Sequence, residues 1–215
     1  MRIRGNSQRW RQGVWVDNVG DFFERIVDLE VTAEQAAALG ARMVDWMIAR
    51  RLLTREMSGE GMYSLGVGKG YVAGPDWQRV TGEWGADWIP GPVAVLVGRD
   101  DHHGGQGEIE PESARCPRCH ATTTIIDYPQ QWVADPEVWR PFHDGIEAWK
   151  QTGSGSVTCT GCGEAAGVTE WGWPSGFALG ALAFDFWGWP PLTEKFVTEF
   201  RTQLGHQIEH HTGKF

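Results

Sequence analysis

No stretch of the 215 residues stays apolar for long enough to span a bilayer. The arginines at positions 2, 4, 9 and 11 have no apolar core behind them, so no secretory leader is expected. A protein without membrane spans, residing in the cytoplasm, is the expectation. Positive charge is also short. Nineteen Lys and Arg face 28 Asp and Glu, a formal net charge of −9. The shortage lies beyond residue 55, where ten basic residues meet twenty-one acidic ones. Nucleic-acid binding is largely phosphate neutralisation, so the bulk of this chain is poorly suited to it. Two catalytic signatures are missing as well. No H-E-x-x-H spacing occurs. Gly66-Val67-Gly68-Lys69-Gly70 fails as a phosphate loop, because Gly70 stands where Ser or Thr is required and Tyr63 where the upstream glycine should be.

Cysteine is sparse, with four copies, and all four fall in two C-x-x-C pairs: Cys116-Pro117-Arg118-Cys119 and Cys159-Thr160-Gly161-Cys162. A C-x-x-C turn points two sulfurs at one spot. Two such turns supply the four thiolates of a closed, tetrahedral structural zinc site. The residue after each second cysteine favours a left-handed backbone and hence glycine. Gly163 fits. His120 departs from the pattern, either adopting the less favourable conformation or replacing a sulfur as ligand. Thirty-nine residues separate the pairs, more than the usual roughly 15–20. A redox pair would need only one C-x-x-C. An iron–sulfur site would suit the same ligands, and two disulfides would need an oxidising compartment.

Hydrophobic spacing organises the rest. Val19, Phe22, Phe23, Ile26 and Val27 share one helical face, predicting a helix over 18–30. Thr32-Ala33-Glu34-Gln35 reads as a capping box opening a second helix that runs to about Leu52 and buries Ala36, Leu39, Met43, Trp46 and Met47. Residues 54–91 suggest glycine-rich turns between short strands. Pro92–Val97 reads as a buried strand, followed by a polar loop, Asp100-Asp101-His102-His103, whose side chains are good ligands for a catalytic metal. Thr122–Tyr128 is strand-like and expected to pair with Ser156–Cys159. Pro141 would break a helix begun at Pro136, so a turn and then a helix from about Pro141 are expected. That helix carries Phe142, Ile146 and Trp149 inward. Leu192–Leu204 is a helix stopped by Gly205. His206–His211 is a final strand with His206 and His210 in solvent.

Tryptophan, with thirteen copies, is over-represented. A small phrase repeats: Trp171-Gly172-Trp173-Pro174 and Trp187-Gly188-Trp189-Pro190. Residues two apart in a strand share a face. The expectation is that Trp171 lies with Trp173 and Trp187 with Trp189. One pair is then buried, and the other forms a partner-binding patch with Trp189 exposed.

These elements predict an α+β fold: a small mixed sheet packed against helices, with residues 1–113 and 166–215 as the parent domain. Residues 114–165, with the four cysteines, resemble a zinc ribbon inserted into it. The phrase Phe186-Trp187-Gly188-Trp189-Pro190-Pro191-Leu192, with the closing Gly213-Lys214-Phe215, resembles uncharacterised conserved bacterial proteins, mostly actinobacterial. The resemblance implies structural zinc and no activity. The leading reading is a non-enzymatic interaction or adaptor protein with a protein partner bound through Trp171, Trp173, Trp187 and Trp189. The alternatives are a zinc-ribbon nucleic-acid binder and a metal-assisted hydrolase using Asp100–His103.

Overall fold

The computed structural model describes residues 22–64, 66–83, 85, 87–104 and 109–214. The basic cluster at 2–11 lies outside them. The fold is α+β, as expected, and the element order explains how a chain with so few long apolar runs builds a sheet buried at its centre. Strand β1 (Phe22–Asp28) leads into helix α1 (Ala33–Ala49), then β2 (Leu53–Ser58), β3 (Gly70–Ala73) and the long β4 (Val93–His103). Two short hairpins follow, β5 (Ser113–Arg115) with β6 (Thr122–Thr124) and β7 (Ser156–Thr158) with β8 (Ala165–Gly167), separated by helix α2 (Pro136–Thr152). The chain closes with β9 (Phe177–Trp187), α3 (Glu194–Leu204) and β10 (Ile208–Lys214).

The six-stranded sheet runs β10-β1-β9-β4-β3-β2, and neighbours are antiparallel. Helix α3 is a crossover: it carries the chain from β9 past β1 to β10, which runs the same way as β9. Helices α1 and α3 cover one face. There Ile26, Leu182, Phe184 and Phe186 from the strands meet Leu39, Met43 and Met47 of α1 and Phe196, Phe200 and Leu204 of α3. Rings interlock across this core, Phe184 with Phe200 at 5.1 Å and Phe186 with Trp189 at 5.3 Å between centroids. Strand β9 is buried at every residue from Phe177 to Trp187.

Several local expectations need correction. Residues 22–28 are strand β1, and 18–21 lie outside the described residues. The helical spacing misled because β1 is buried on both faces: Ile26 packs under the helices while Phe23 and Val27 pack on the other side. Helix α1 starts where expected, with Thr32 at the N-cap, but the Thr32 side chain makes no capping hydrogen bond. Strand β4 does not stop at Val97. A bulge between Val97 and Asp100, with Gly98 at φ +122°, absorbs one extra residue, and pairing with β9 resumes through His103. Asp100–His103 is therefore strand. Thr122–Thr124 pairs with β5 and Ser156–Thr158 with β8, so each cysteine pair sits in its own hairpin. Helix α2 tolerates Pro141 inside it. The proline forgoes one early-helix bond to the Glu137 carbonyl, while the Asp135 side chain caps the N–H groups of Glu137 and Val138.

The aromatic repeat behaves differently in its two copies. Trp171 and Trp173 do lie together, their rings 4.8 and 5.7 Å from Phe142. Trp187 and Trp189 do not. Gly188 takes φ +62°, which throws the rings to opposite sides. Trp187 packs with Phe23 and Ala94 on the open face, and Trp189 enters the main core. Trp189, expected at the surface, has no exposed area; Trp187 and Trp171 are buried and Trp173 is half-buried. The buried pair is thus Trp187 with Trp189, and Trp173 is the member of the repeat nearest the surface. Trp189→Ala should cost about 3–5 kcal/mol of folding stability, the usual loss for a fully buried ring. Urea unfolding would check this, and a cost below about 1 kcal/mol would contradict the packing.

Candidate functional site

The two cysteine hairpins are one unit written twice. Every feature of the first recurs 43 residues later. Cys116 N–H donates to the Ala121 carbonyl (2.9 Å), and Cys159 N–H to that of Glu164 (2.9 Å). His120 N–H donates to the Cys116 carbonyl (3.1 Å), and Gly163 N–H to that of Cys159 (2.8 Å). The backbone N–H groups of Arg118 and Gly161 point at the first sulfur of each pair, at 3.4 and 3.3 Å. His120 and Gly163 both take left-handed conformations, φ 60° and 75°. His120 thus accepts the less favourable backbone, and it is not among the residues gathered at the sulfur cluster.

The four sulfurs converge, all lying within 4.8 Å of one another. Cys119 and Cys159 are 3.7 Å apart and Cys116 and Cys162 4.0 Å, and all four are free of disulfides. A tetrahedron with metal–sulfur bonds of about 2.3 Å has edges of about 3.8 Å. These four cysteines can hold a metal ion. Their electrostatics agree. The backbone N–H of Cys119 leads in holding the Cys116 thiol down at about 7. At Cys162 the N–H of Glu164 favours the thiolate, but desolvation and the other three sulfurs push it up to about 12. Four sulfurs this close cannot all ionise without a cation among them. Among the described residues, no other group of three or more His, Cys, Asp or Glu is placed to hold a metal.

The hairpins are tied to the fold by a second core. Cys116 and Cys159 are buried in it, beside Phe142, Ile146 and Trp149 of α2, Trp171, and Phe177 and Leu179 of β9. The arginines flanking the first pair are occupied. Arg118 bridges to Glu170 at 3.0 Å, and Arg115 Nε donates to the His120 carbonyl at 3.4 Å.

Asp100–His103 do not converge. Asp100 and Asp101 both bind Lys150 of α2, the first at 3.0 Å. Burial opposes the lysine's charge, but these hydrogen bonds outweigh it and raise its pKa. His102 is buried and its Nε2 lies 3.4 Å from the Gly180 carbonyl. The open face of the sheet holds groups that no sequence pattern marked. Arg25 and Asp185, paired in register on β1 and β9, form a bidentate pair at 2.5 and 2.7 Å. Ser64 Oγ donates to Asp185 (2.7 Å) and accepts from the Trp187 indole N–H (2.6 Å). His211, the register partner of Arg25 on β10, is buried, and neither ring nitrogen has a partner among the described residues. His206 and His210 are also not simply solvated. They meet the buried carboxylates of Asp28 and Glu24, each at 2.8 Å. Their partners stand far away in sequence, so no local signal reveals them.

Comparison of the chain with models of known families, with curated proteins and with solved structures returned no match, so no relative supports the likeness to zinc ribbons or to actinobacterial proteins. Among the described residues no helix is long and apolar enough to cross a membrane.

Burial, followed by the Arg25 charge, holds His102 at about 4 and His211 at about 3. Below about pH 6.5 the unfolded chain takes up protons that these native imidazoles refuse. Stability should therefore fall as pH drops from about 6.5 toward 4, by up to roughly 1.4 kcal/mol per pH unit for each histidine. His211→Leu should keep neutral-pH stability, since it removes two unpartnered polar atoms, and should flatten the acid slope by one proton's worth. Denaturant melts at pH 7, 6 and 5 measure it. An unchanged slope would contradict the assignment.

Proposed function

We propose that the four cysteines hold one structural zinc ion and that the chain is a non-enzymatic interaction protein built around it. The observation that carries the zinc reading is the closed, repeated four-sulfur set. Sulfur occupies all four corners, so no position is left open for water or substrate, as a catalytic zinc would need. Zinc is preferred to an iron–sulfur cluster because the spacing suits a single ion.

A protein partner remains the best-supported occupant. The acidic charge disfavours nucleic acid, and the two arginines beside the first knuckle are already engaged. Trp187 and Trp189 are buried and offer no docking surface. The apolar surface that stands out lies elsewhere: Trp132 is 73% exposed and Val133 68%, in the segment between β6 and α2. Gln131 Nε2 donates to the Val133 carbonyl at 2.7 Å, and Tyr128 stacks edge-on against Trp132 at 5.0 Å, so the tip is held in shape while its apolar surface faces solvent. Exposed, pre-shaped aromatics are common interface anchors.

Elemental analysis of purified protein should give close to one zinc per chain and no iron. Cys159→Ser should lose the metal and the near-ultraviolet circular dichroism of the second core, as expected for sites whose metal binding supplies about 10–16 kcal/mol. A metal-free Cys159→Ser protein with an unchanged spectrum would refute a structural metal. Trp132→Ala with Val133→Ser should leave the melting temperature unchanged and lose any partner the parent protein co-purifies. Undiminished recovery of that partner would remove the tip from the account.

A further inference from the structure

We infer that the cavity on the open face of the sheet is a binding site for a small aromatic carboxylate. The cavity measures about 410 Å³, within the range of small-molecule sites and large enough for one or two fused rings. Three aromatic side chains, Phe23, Tyr63 and Trp187, line it with Leu96. Phe23 and Trp187 lie 5.0 Å apart, and Tyr63 meets Trp187 edge-on at 5.6 Å. Such walls favour a flat apolar body.

The polar end follows from Arg25. Its guanidinium lines the cavity and is held rigidly, with Asp185 on one edge, the His103 carbonyl at 3.1 Å, and the Phe23 ring 4.5 Å away. Among the described residues three of its five N–H groups have partners, which leaves two for a ligand oxygen. Its side chain keeps 11% exposure. Asp185 is fully buried behind it and accepts three hydrogen bonds, two from Arg25 and one from Ser64. A second cation, Lys214, stands at the rim with no ion-pair partner among the described residues. The acidic residues of the lining, Asp100 and Asp101, are both bound to Lys150. Arg25 and Lys214 therefore keep donors without partners among the described residues, while the two carboxylates of the lining share the Lys150 ammonium with Glu147. The inference is independent of the zinc site and of the Trp132 tip.

Titration of the full, metal-loaded chain with phenylacetate and indole-3-acetate, and with their amides, tests it. The acids should bind saturably with a Kd on the order of 1 mM or tighter. They should bind at least about tenfold better than the amides, because a hydrogen bond to a charged group is worth more than a neutral one. Leu96→Trp should abolish binding. Lys214→Gln should weaken the acids roughly two- to fivefold and leave the amides unchanged, as expected for a rim charge. Nuclear magnetic resonance of the parent chain locates the ligand without any variant, through the Trp187 indole N–H. No saturable binding, equal binding of acids and amides, or shifts confined to other regions would each overturn the proposal.

Discussion

Burial of strand β9 is the constraint on which the other elements depend. Eleven consecutive buried residues need cover on both faces and on both edges. Strands β1 and β4 take the edges. Helices α1 and α3 cover one face at the strand's C-terminal half, through Leu182, Phe184 and Phe186. The N-terminal half has no such cover from the sheet's own helices. Phe177 and Leu179 are buried instead by α2, by Trp171 and by the core beneath the cysteine hairpins. Two cores thus share one strand. The first is a large aromatic and aliphatic core that needs no cofactor. The second is assembled from three-residue strands and a single helix, which is too little to hold together alone. The four cysteines at the base of this core can hold a metal ion, and an ion joining both hairpins would supply the missing constraint.

The open face of the same strand obeys a different rule. Asp185 sits near the C-terminal end of β9 with no exposure, and the bidentate guanidinium of Arg25 and the Ser64 hydroxyl make that tolerable. Replacing such a pair by apolar residues is often neutral or stabilising. Stability alone does not call for this pair, nor for the buried His211 beside it, whose ring nitrogens have no partner among the described residues. Such a pair accords with a face that binds something.

How much of this could be read in the sequence depends on the range of the forces involved. The cysteine pairs were legible because sulfur ligation is set by local spacing, and the hairpins then repeat it in every hydrogen bond. Helices α1 and α3 were legible because each buries one stripe and exposes the rest. Strand β1 was not. Burial on both faces erases the alternation that marks a strand, and Phe22, Phe23, Ile26 and Val27 mimic a helical stripe. The end of β4 was misplaced because Gly98 looks like a stop, whereas a bulge lets the pairing continue. Two-residue periodicity carried through Gly188 puts Trp189 at the surface, whereas the positive φ of Gly188 turns it into the core. The Arg25–Asp185 pair, and the partners of His206 and His210, join residues more than 150 positions apart. Only the sheet register brings them together.

The claim that one metal ion holds the second core, and through it one end of β9, can be read amide by amide. Hydrogen exchange along β9, compared before and after removal of metal by a chelator, separates the two halves of the strand. The account predicts that protection collapses from Phe177 to Gly180 and at the cysteine hairpins, while Phe184 to Trp187 stay as protected as before. Uniform loss along the whole strand, or no loss at Phe177–Gly180, would contradict it.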